Sequence, residues 1–284
     1  MTMRATAPLA DTEIADLAVA AIHAEADLTP KPGLVDRRGP GAHTDMDLEM
    51  LHTSADSLHT ALAACASAAA QPLSDAELRT RLGEIGRAGE HAMLAATGQV
   101  NTHRGTLWAL GLLSAGAARG GDAVTIAARL AAIPDPYASS RTTDKMSHGS
   151  RVRRRYNGSG AVGEAQEGFP HVRRHALPTL RAARRSGADE ATARLSALLA
   201  LVATLEDTCV LHRGGPRGLM TLQSGARAVL NAGGVGTAQG RRHFNALDDV
   251  CLTQHLSPGG SGDLLSATLF LDALEKRITE SCRP

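Results

Sequence analysis

The chain has 284 residues, 43% of them hydrophobic and 21% charged, which is enough apolar material for a buried core and excludes a disordered chain. A formal net charge of +1 excludes the strongly basic balance of a general nucleic-acid binder. Aromatic residues are only 2% of the chain, so the interior must come from Ala, Leu, Val and Met, which favours closely spaced helices over sheets.

Residues 1–10 are expected to be flexible. Ile14, Leu17, Ala18, Ala21 and Ile22 follow helical spacing, with Asp11 as N-cap and Pro30 and Pro32 preventing continuation. From Asp47, the residues Leu51, Ala55, Leu58, Leu62 and Cys65 mark one face of a second helix that ends before Pro72. Ser74 and Glu77 have capping-box spacing ahead of a third, closed by Gly98. Further helices are predicted at about 104–118, 122–133 (capped by Asp122) and 144–156. After a glycine-rich passage (Gly158, Gly160, Gly163, Gly168), helical patterns resume at about 171–185, 189–208, 217–231, 241–255 and 262–279. Strand alternation and fixed-period repeats are missing. The sequence therefore predicts an all-α, single-domain bundle of about ten helices spanning 1–284.

Cys65, Cys209, Cys251 and Cys282 are far apart, without zinc-like spacing, and read as reduced thiols. The N-terminal residues do not look like a signal peptide, and no apolar stretch is long enough for a membrane span, so a cytoplasmic location and no membrane partner are expected. Arginines 151, 153, 154, 155, 173, 174, 181, 184 and 185 form a basic stretch that is either a solvated face or an anion site. His171 and His175 are four apart but have no Glu between them in a zincin pattern.

Four polar, glycine-punctuated segments fall at helix junctions, where unpaired N–H groups can hold anions. Leu28 to Asp47 puts Lys31, Asp36, Arg37, Arg38, His43, Asp45 and Asp47 on one short path, with Gly33, Gly39 and Gly41 permitting turns. A plain connection capped by Thr44 or Asp45 is the alternative. Asn101-Thr102-His103-Arg104-Gly105 is either an anion pocket or an ordinary cap. Glu206-Asp207 is placed at a helix C-terminus, where acidic side chains oppose the macrodipole, so a cation or Arg213 should offset it. Ser257-Pro258-Gly259-Gly260-Ser261-Gly262-Asp263 resembles a phosphate-cradling turn in composition but lacks the P-loop ending, and Asp263 either caps the last helix or binds metal.

Together KPGLVDRRGPGAHTDMD, NTHRG, HGSRVRRRYNGSGAVGEAQEGFP (His148 to Pro170), EDTCVLHRGG and LSPGGSGDLL resemble, in order, the triphosphoribosyl-dephospho-coenzyme A synthase family, which serves citrate lyase and malonate decarboxylase. The resemblance covers about Ala20 to Phe270 and implies a helical transferase acting on ATP and 3′-dephospho-coenzyme A. In that reaction the 2′-hydroxyl of the coenzyme ribose attacks C1 of the ATP ribose, and adenine leaves. It also implies that the product passes to a phosphoribosyl-dephospho-coenzyme A transferase acting on an acyl-carrier subunit. Malonate decarboxylase is the favoured system because the chain stands without a fused transferase. A homodimer could form through the Ala-rich helices.

Set against that chemistry, the expected catalytic residues are Asp36 as base, with His103 and His212 as alternative proton carriers. Lys31, Gly33, Arg37, Asn101, Arg104, Arg151, Arg213, Gly214, Ser257, Gly259 and Gly260 are expected to bind substrate phosphates, and Asp207 and Asp263 to hold Mg²⁺. Gly262 stands where the family commonly has Ala, and Cys209 where it has a small polar residue, so a catalytic role for Cys209 is not expected. A metal-dependent all-α N-glycosidic hydrolase and a non-catalytic coenzyme A-binding helical protein are the competing readings.

Overall fold

A computed structural model describes residues 9–137 and 160–281. The expectations placed on residues 1–8, on the 144–156 helix with Arg151, and on Cys282 lie outside the described residues. The rest is all-α, built from α1 (Asp11–Ala26), α2 (Leu48–Ser57), α3 (His59–Ala69), α4 (Asp75–Ala96), α5 (Arg104–Ala118), α6 (Ala123–Ala132), α7 (Gly160–Gln166), a π-helical turn (Val172–Ala176), α8 (Leu177–Arg185), α9 (Glu190–Thr204), α10 (Thr208–Asn231), α11 (Ala238–Thr253) and α12 (Gly259–Ser281). Among the described residues there is no strand, and no single helix is long and apolar enough to cross a membrane.

Helix α5 lies at the centre. Thr106, Leu107 and every residue from Ala109 to Gly116 are buried, so it is apolar nearly all round, as a core helix must be. It packs against α1, α3, α4, α6 and α12. Leu and Ala supply most of the core, to which the aromatics add the buried rings of Phe169, Phe244 and Phe270. Small residues set the spacing: a Cβ on Gly89 would sit 2.7 Å from the Ala61 methyl.

Local signals hold where they are local. Ser74 and Glu77 form the capping box, with Ser74 N–H donating to Glu77 Oε2 at 2.9 Å and Glu77 N–H to Ser74 Oγ at 3.3 Å. Asp122 caps α6 and Asp189 caps α9. Other starts differ. Ala10 is the N-cap of α1, tied by Glu13 rather than by Asp11, and Asp47, not Thr44 or Asp45, caps α2 through Met50 N–H at 2.8 Å. The predicted 47–71 helix divides at Leu58 into α2 and α3.

The largest departure concerns Glu206-Asp207. Helix α9 stops at Thr204, and Asp207 is the N-cap of α10, which runs through His212-Arg213-Gly214-Gly215 with one non-helical residue, Gly215, at φ 59° and ψ −163°. Pro216 restarts the helix immediately, as proline can at a first helical turn. Asp207 therefore stands where the macrodipole favours it, and the expected electrostatic cost vanishes.

The 28–47 loop is fastened by Gly33, whose φ of 68° suits glycine and whose Cβ, if present, would lie 2.3 Å from the Leu256 carbonyl oxygen. Gly33→Ala is expected to lose about 1–3 kcal/mol of unfolding free energy in a urea titration. Gly86→Ala, in α4 with nothing within 4 Å of a new Cβ, is expected to gain about 0.5–1 kcal/mol.

Candidate active site

The starts of α5, α10 and α12 converge, and two carboxylates tie them together. Asp207 caps its own helix, its Oδ1 accepting from Cys209 N–H at 2.9 Å and Val210 N–H at 3.4 Å. The same carboxylate accepts from α12: Gly260 N–H at 3.3 Å on Oδ1, and Ser261 N–H at 2.8 Å and Oγ–H at 3.0 Å on Oδ2. Asp263, the fifth residue of α12, reaches α5 in turn, accepting from the hydroxyl and the backbone of Thr106. Three helix N-termini thus share two side chains.

The glycines of the last segment permit this approach. A Cβ on Gly259 would lie 3.1 Å from Cys209 Sγ, one on Gly260 3.1 Å from Asp207 Oδ1, and one on Gly262 3.2 Å from Glu25 Oε1. A Cβ on Gly105 would collide with Asp263 Oδ2 at 2.0 Å. Gly260 N–H is spent on Asp207, so the run that reads as a phosphate cradle brings helix starts and carboxylates together instead.

Around this junction opens a cleft of about 1410 Å³. Lys31, Asn101, His103, Arg104, Asp207, His212, Arg213, Ser257, Gly259, Gly260 and Asp263 all line it. Residues from all four polar segments therefore meet. Gly33, Asp36, Arg37 and Gly214 are not in its wall.

Asp36 is placed as a clamp, not as a base facing the cleft. It is buried, accepts from Lys31 N–H and Arg38 N–H at 2.8 Å each, and is gripped by the Arg38 guanidinium at 2.8–3.2 Å. Arg38 extends the clamp to Asp248 at 2.5 Å, and Asp248 accepts from Gly33 N–H at 3.2 Å. Burial works against the Arg38 charge, but the two carboxylates outweigh it and raise its pKa. Arg37 pairs with Asp27 at the surface, and Gly214 packs on the Leu256 side chain.

The cleft cations are each engaged. Lys31 Nζ, 1% exposed, donates to the backbone oxygen of Glu25 at 2.7 Å and to its Oε1 at 2.8 Å. Arg104 pairs with Glu90 of α4, and Asn101 accepts from Arg104 N–H at 3.3 Å. Arg213 donates to the Ala42 and His255 carbonyls at 3.1 and 3.4 Å. Glu25, Glu90, Thr106 and His43 are cleft residues outside the expected set. Glu25 had a visible signal, a carboxylate on the apolar stripe of Ala18 and Ile22.

His103 is buried, with Nδ1 paired to Ser54 Oγ at 2.8 Å, and burial, aided by the nearby Lys31 charge, pushes its pKa down to about 3, so it is neutral. Burial raises the Asp207 carboxyl, partly opposed by its hydrogen bonds to Ser261. Asp263 is also raised, to about 7, by burial and then by the Asp207 and Glu25 charges. Burial also holds the Cys209 thiol protonated.

The two expected Mg²⁺ ligands differ in what they can offer. Both Asp207 oxygens are filled by N–H and O–H donors, Asp263 accepts the Thr106 hydroxyl through Oδ1, and among the described residues no group of three or more His, Cys, Asp or Glu could by itself hold an ion.

The fold and cleft define an all-α protein with a mixed acidic and basic site at converging helix starts. A family model described as ATP:dephospho-CoA triphosphoribosyl transferase matches residues 11–281. Proteins named "Probable 2-(5''-triphosphoribosyl)-3'-dephosphocoenzyme-A synthase" are similar in sequence: one from Stutzerimonas stutzeri is 55% identical, covering 94% of this chain and 93% of its own. Others from Azotobacter vinelandii and Pseudomonas fluorescens are 52% and 51% identical, covering 93% and 96% of this chain and 92% and 95% of theirs. No solved structure matches. The chain belongs to the ATP:dephospho-CoA triphosphoribosyl transferase family and is a transferase.

Because the folded protein holds the Asp263 proton up to about pH 7, against 3.8 for an ordinary Asp, its stabilising contribution is full below pH 3.8 and is lost as pH rises through 7. Asp263→Asn should therefore melt higher than the parent at pH 8, by about 2–4 °C per kcal/mol relieved, with the gain shrinking toward pH 4. Thermal melts across that range test this; a difference independent of pH would contradict it.

Proposed function

We propose that the cleft binds ATP and 3′-dephospho-coenzyme A together and transfers the triphosphoribosyl group between them. The observation that carries this is a single cleft of about 1410 Å³, larger than the roughly 300–1,000 Å³ of an ordinary small-ligand site, whose wall draws cations and carboxylates from four junctions.

Lys31, Arg104 and Arg213 are the phosphate partners in this reading. Each already donates to a carboxylate or carbonyl oxygen, and substrate phosphate oxygens would replace those acceptors with charge-assisted bonds of about 1.5–3 kcal/mol each. Asp263 takes the role first expected of Asp36. With a pKa of about 7 it can accept the proton of the attacking 2′-hydroxyl at neutral pH. The hydroxyl oxygen bonds to C1 of the ATP ribose, the bond from that carbon to adenine breaks with its electron pair going to adenine, and adenine gains one proton, which balances the one that Asp263 takes from the hydroxyl and returns to water. Charge building on the ribose is oxocarbenium-like, and the neighbouring Glu25 and Asp207 oppose it with negative charge.

Mg²⁺ in this proposal arrives with the triphosphate, since it commonly binds phosphates with one or two carboxylates and retained waters. When bound it neutralises phosphate charge. The proposal extends to the cytoplasm as the place where ATP is available, and to a phosphoribosyl-dephospho-coenzyme A transferase as the product's recipient, acting on an acyl carrier of malonate decarboxylase. Product offered with that transferase to the carriers of malonate decarboxylase and citrate lyase tests the choice.

Mass spectrometry of the protein with ATP, Mg²⁺ and dephospho-coenzyme A should show a product heavier by one triphosphoribosyl group, with adenine released only when the acceptor is present. Adenine released without acceptor would instead indicate an N-glycosidic hydrolase. Asp263→Asn should lower turnover by about 10²- to 10⁴-fold.

A further inference from the structure

His43, on the 28–47 loop, lies between three groups in the cleft wall. Its Nε2 is 2.7 Å from Ser257 Oγ, and its Nδ1 is 3.1 Å from Arg213 Nη2 and 3.5 Å from Asp45 Oδ1. Side by side, Ser257, His43 and Asp45 look like a nucleophilic triad. The proton inventory says otherwise.

A guanidinium has donors and no acceptor, so the Arg213 contact requires a lone pair on Nδ1. Asp45 is too far for a good hydrogen bond, and its side chain is 59% exposed to competing water. A neutral imidazole accepting at Nδ1 carries its proton at Nε2, which then donates to Ser257 Oγ. Burial and the Arg213 charge lower the His43 pKa, outweighing the charge and hydrogen-bonding pull of Asp45, which would raise it, so the ring is neutral. His43 therefore cannot take the Ser257 proton, because its Nε2 already holds one.

This leaves the hydroxyl proton of Ser257 for another acceptor. Ser257 is 1% exposed, forms part of the cleft wall, and has His43 as its side-chain hydrogen-bond partner among the described residues. A buried hydroxyl without an acceptor costs free energy, which an incoming anionic oxygen would relieve.

We propose that His43 is a positioning residue: held by Arg213 as its Nε2–H tautomer, it donates to Ser257 and turns the Ser257 hydroxyl into a fixed donor for a phosphate oxygen of the substrate. The inference rests on the reading that the cleft takes phosphorylated nucleotides, and it assigns Ser257 as a donor, not a nucleophile. The phosphate belongs either to the triphosphate of ATP or to the diphosphate of the coenzyme.

Nitrogen-15 NMR of histidine-labelled protein without substrate reads the tautomer directly, with His43→Gln identifying the signal. The expected result is protonated Nε2 and bare Nδ1; the reverse would overturn the proposal, since Ser257 would then donate to His43. Calorimetric titrations with ATP, inorganic tripolyphosphate and dephospho-coenzyme A then locate the contact. Ser257→Ala should weaken binding about 10- to 100-fold for ATP and tripolyphosphate, or for dephospho-coenzyme A alone, with KM rising more than kcat falls. His43→Leu should do the same, the double variant should be no worse than either single one, and His43→Gln, which keeps an N–H toward Ser257, should recover most of the loss. Unchanged affinity of Ser257→Ala for all three probes would also overturn it, whatever becomes of His43→Leu. Lost phosphate affinity without any transfer product would refute the proposed reaction and leave this assignment standing.

Discussion

One carboxylate sets the arrangement on which the cleft depends. Asp207 accepts from the first N–H groups of two helices, its own and α12, and those helices then cannot move apart without exposing unpaired backbone donors. Five donors converge on two buried oxygens, so charge on Asp207 is supported by hydrogen bonds although burial opposes it. Asp263 passes the same logic to α5. The partial positive charges of the three helix starts meet at one place, and the two acidic side chains answer them.

This arrangement explains a site that is neither an anion funnel nor an acidic metal cage. Lys31, Arg104 and Arg213 each have an acceptor within the fold, so the folded protein carries little uncompensated buried charge. A phosphate can exchange for those acceptors at lower cost than it could enter an apolar wall. Asp263 is the exception, raised by burial and by two carboxylate neighbours, and such a group suits proton transfer near neutral pH. The same balance separates clamps from working groups. Asp36 is saturated by Arg38 and backbone donors, and its task is to hold the loop that carries Lys31 and His43.

The helical class was legible because it rests on periodicity and composition, and starts such as Ser74 with Glu77 or Asp122 were legible because cap and partner lie within one turn. The four polar segments were recognisable as junctions and do meet in one cleft. The individual roles were harder to read, for a physical reason. Asp207 looked like a misplaced acid at a helix end because its α12 partners lie 53 and 54 residues away, and Ser257 and His43 are separated by 214. Gly259, Gly260 and Gly262 suggested backbone open to phosphate, whereas they are small so that side chains of α10 and α1 can approach. Composition marks a place where close approach is needed but does not say what approaches.

Hydrogen exchange read by mass spectrometry, with and without ATP and dephospho-coenzyme A, tests the convergence most directly. Ligand should slow exchange together at the starts of α5, α10 and α12 and in the 28–47 loop, segments hundreds of residues apart that form one wall. Protection confined to one of them, or appearing on the face formed by α8 and the end of α12, would contradict the account.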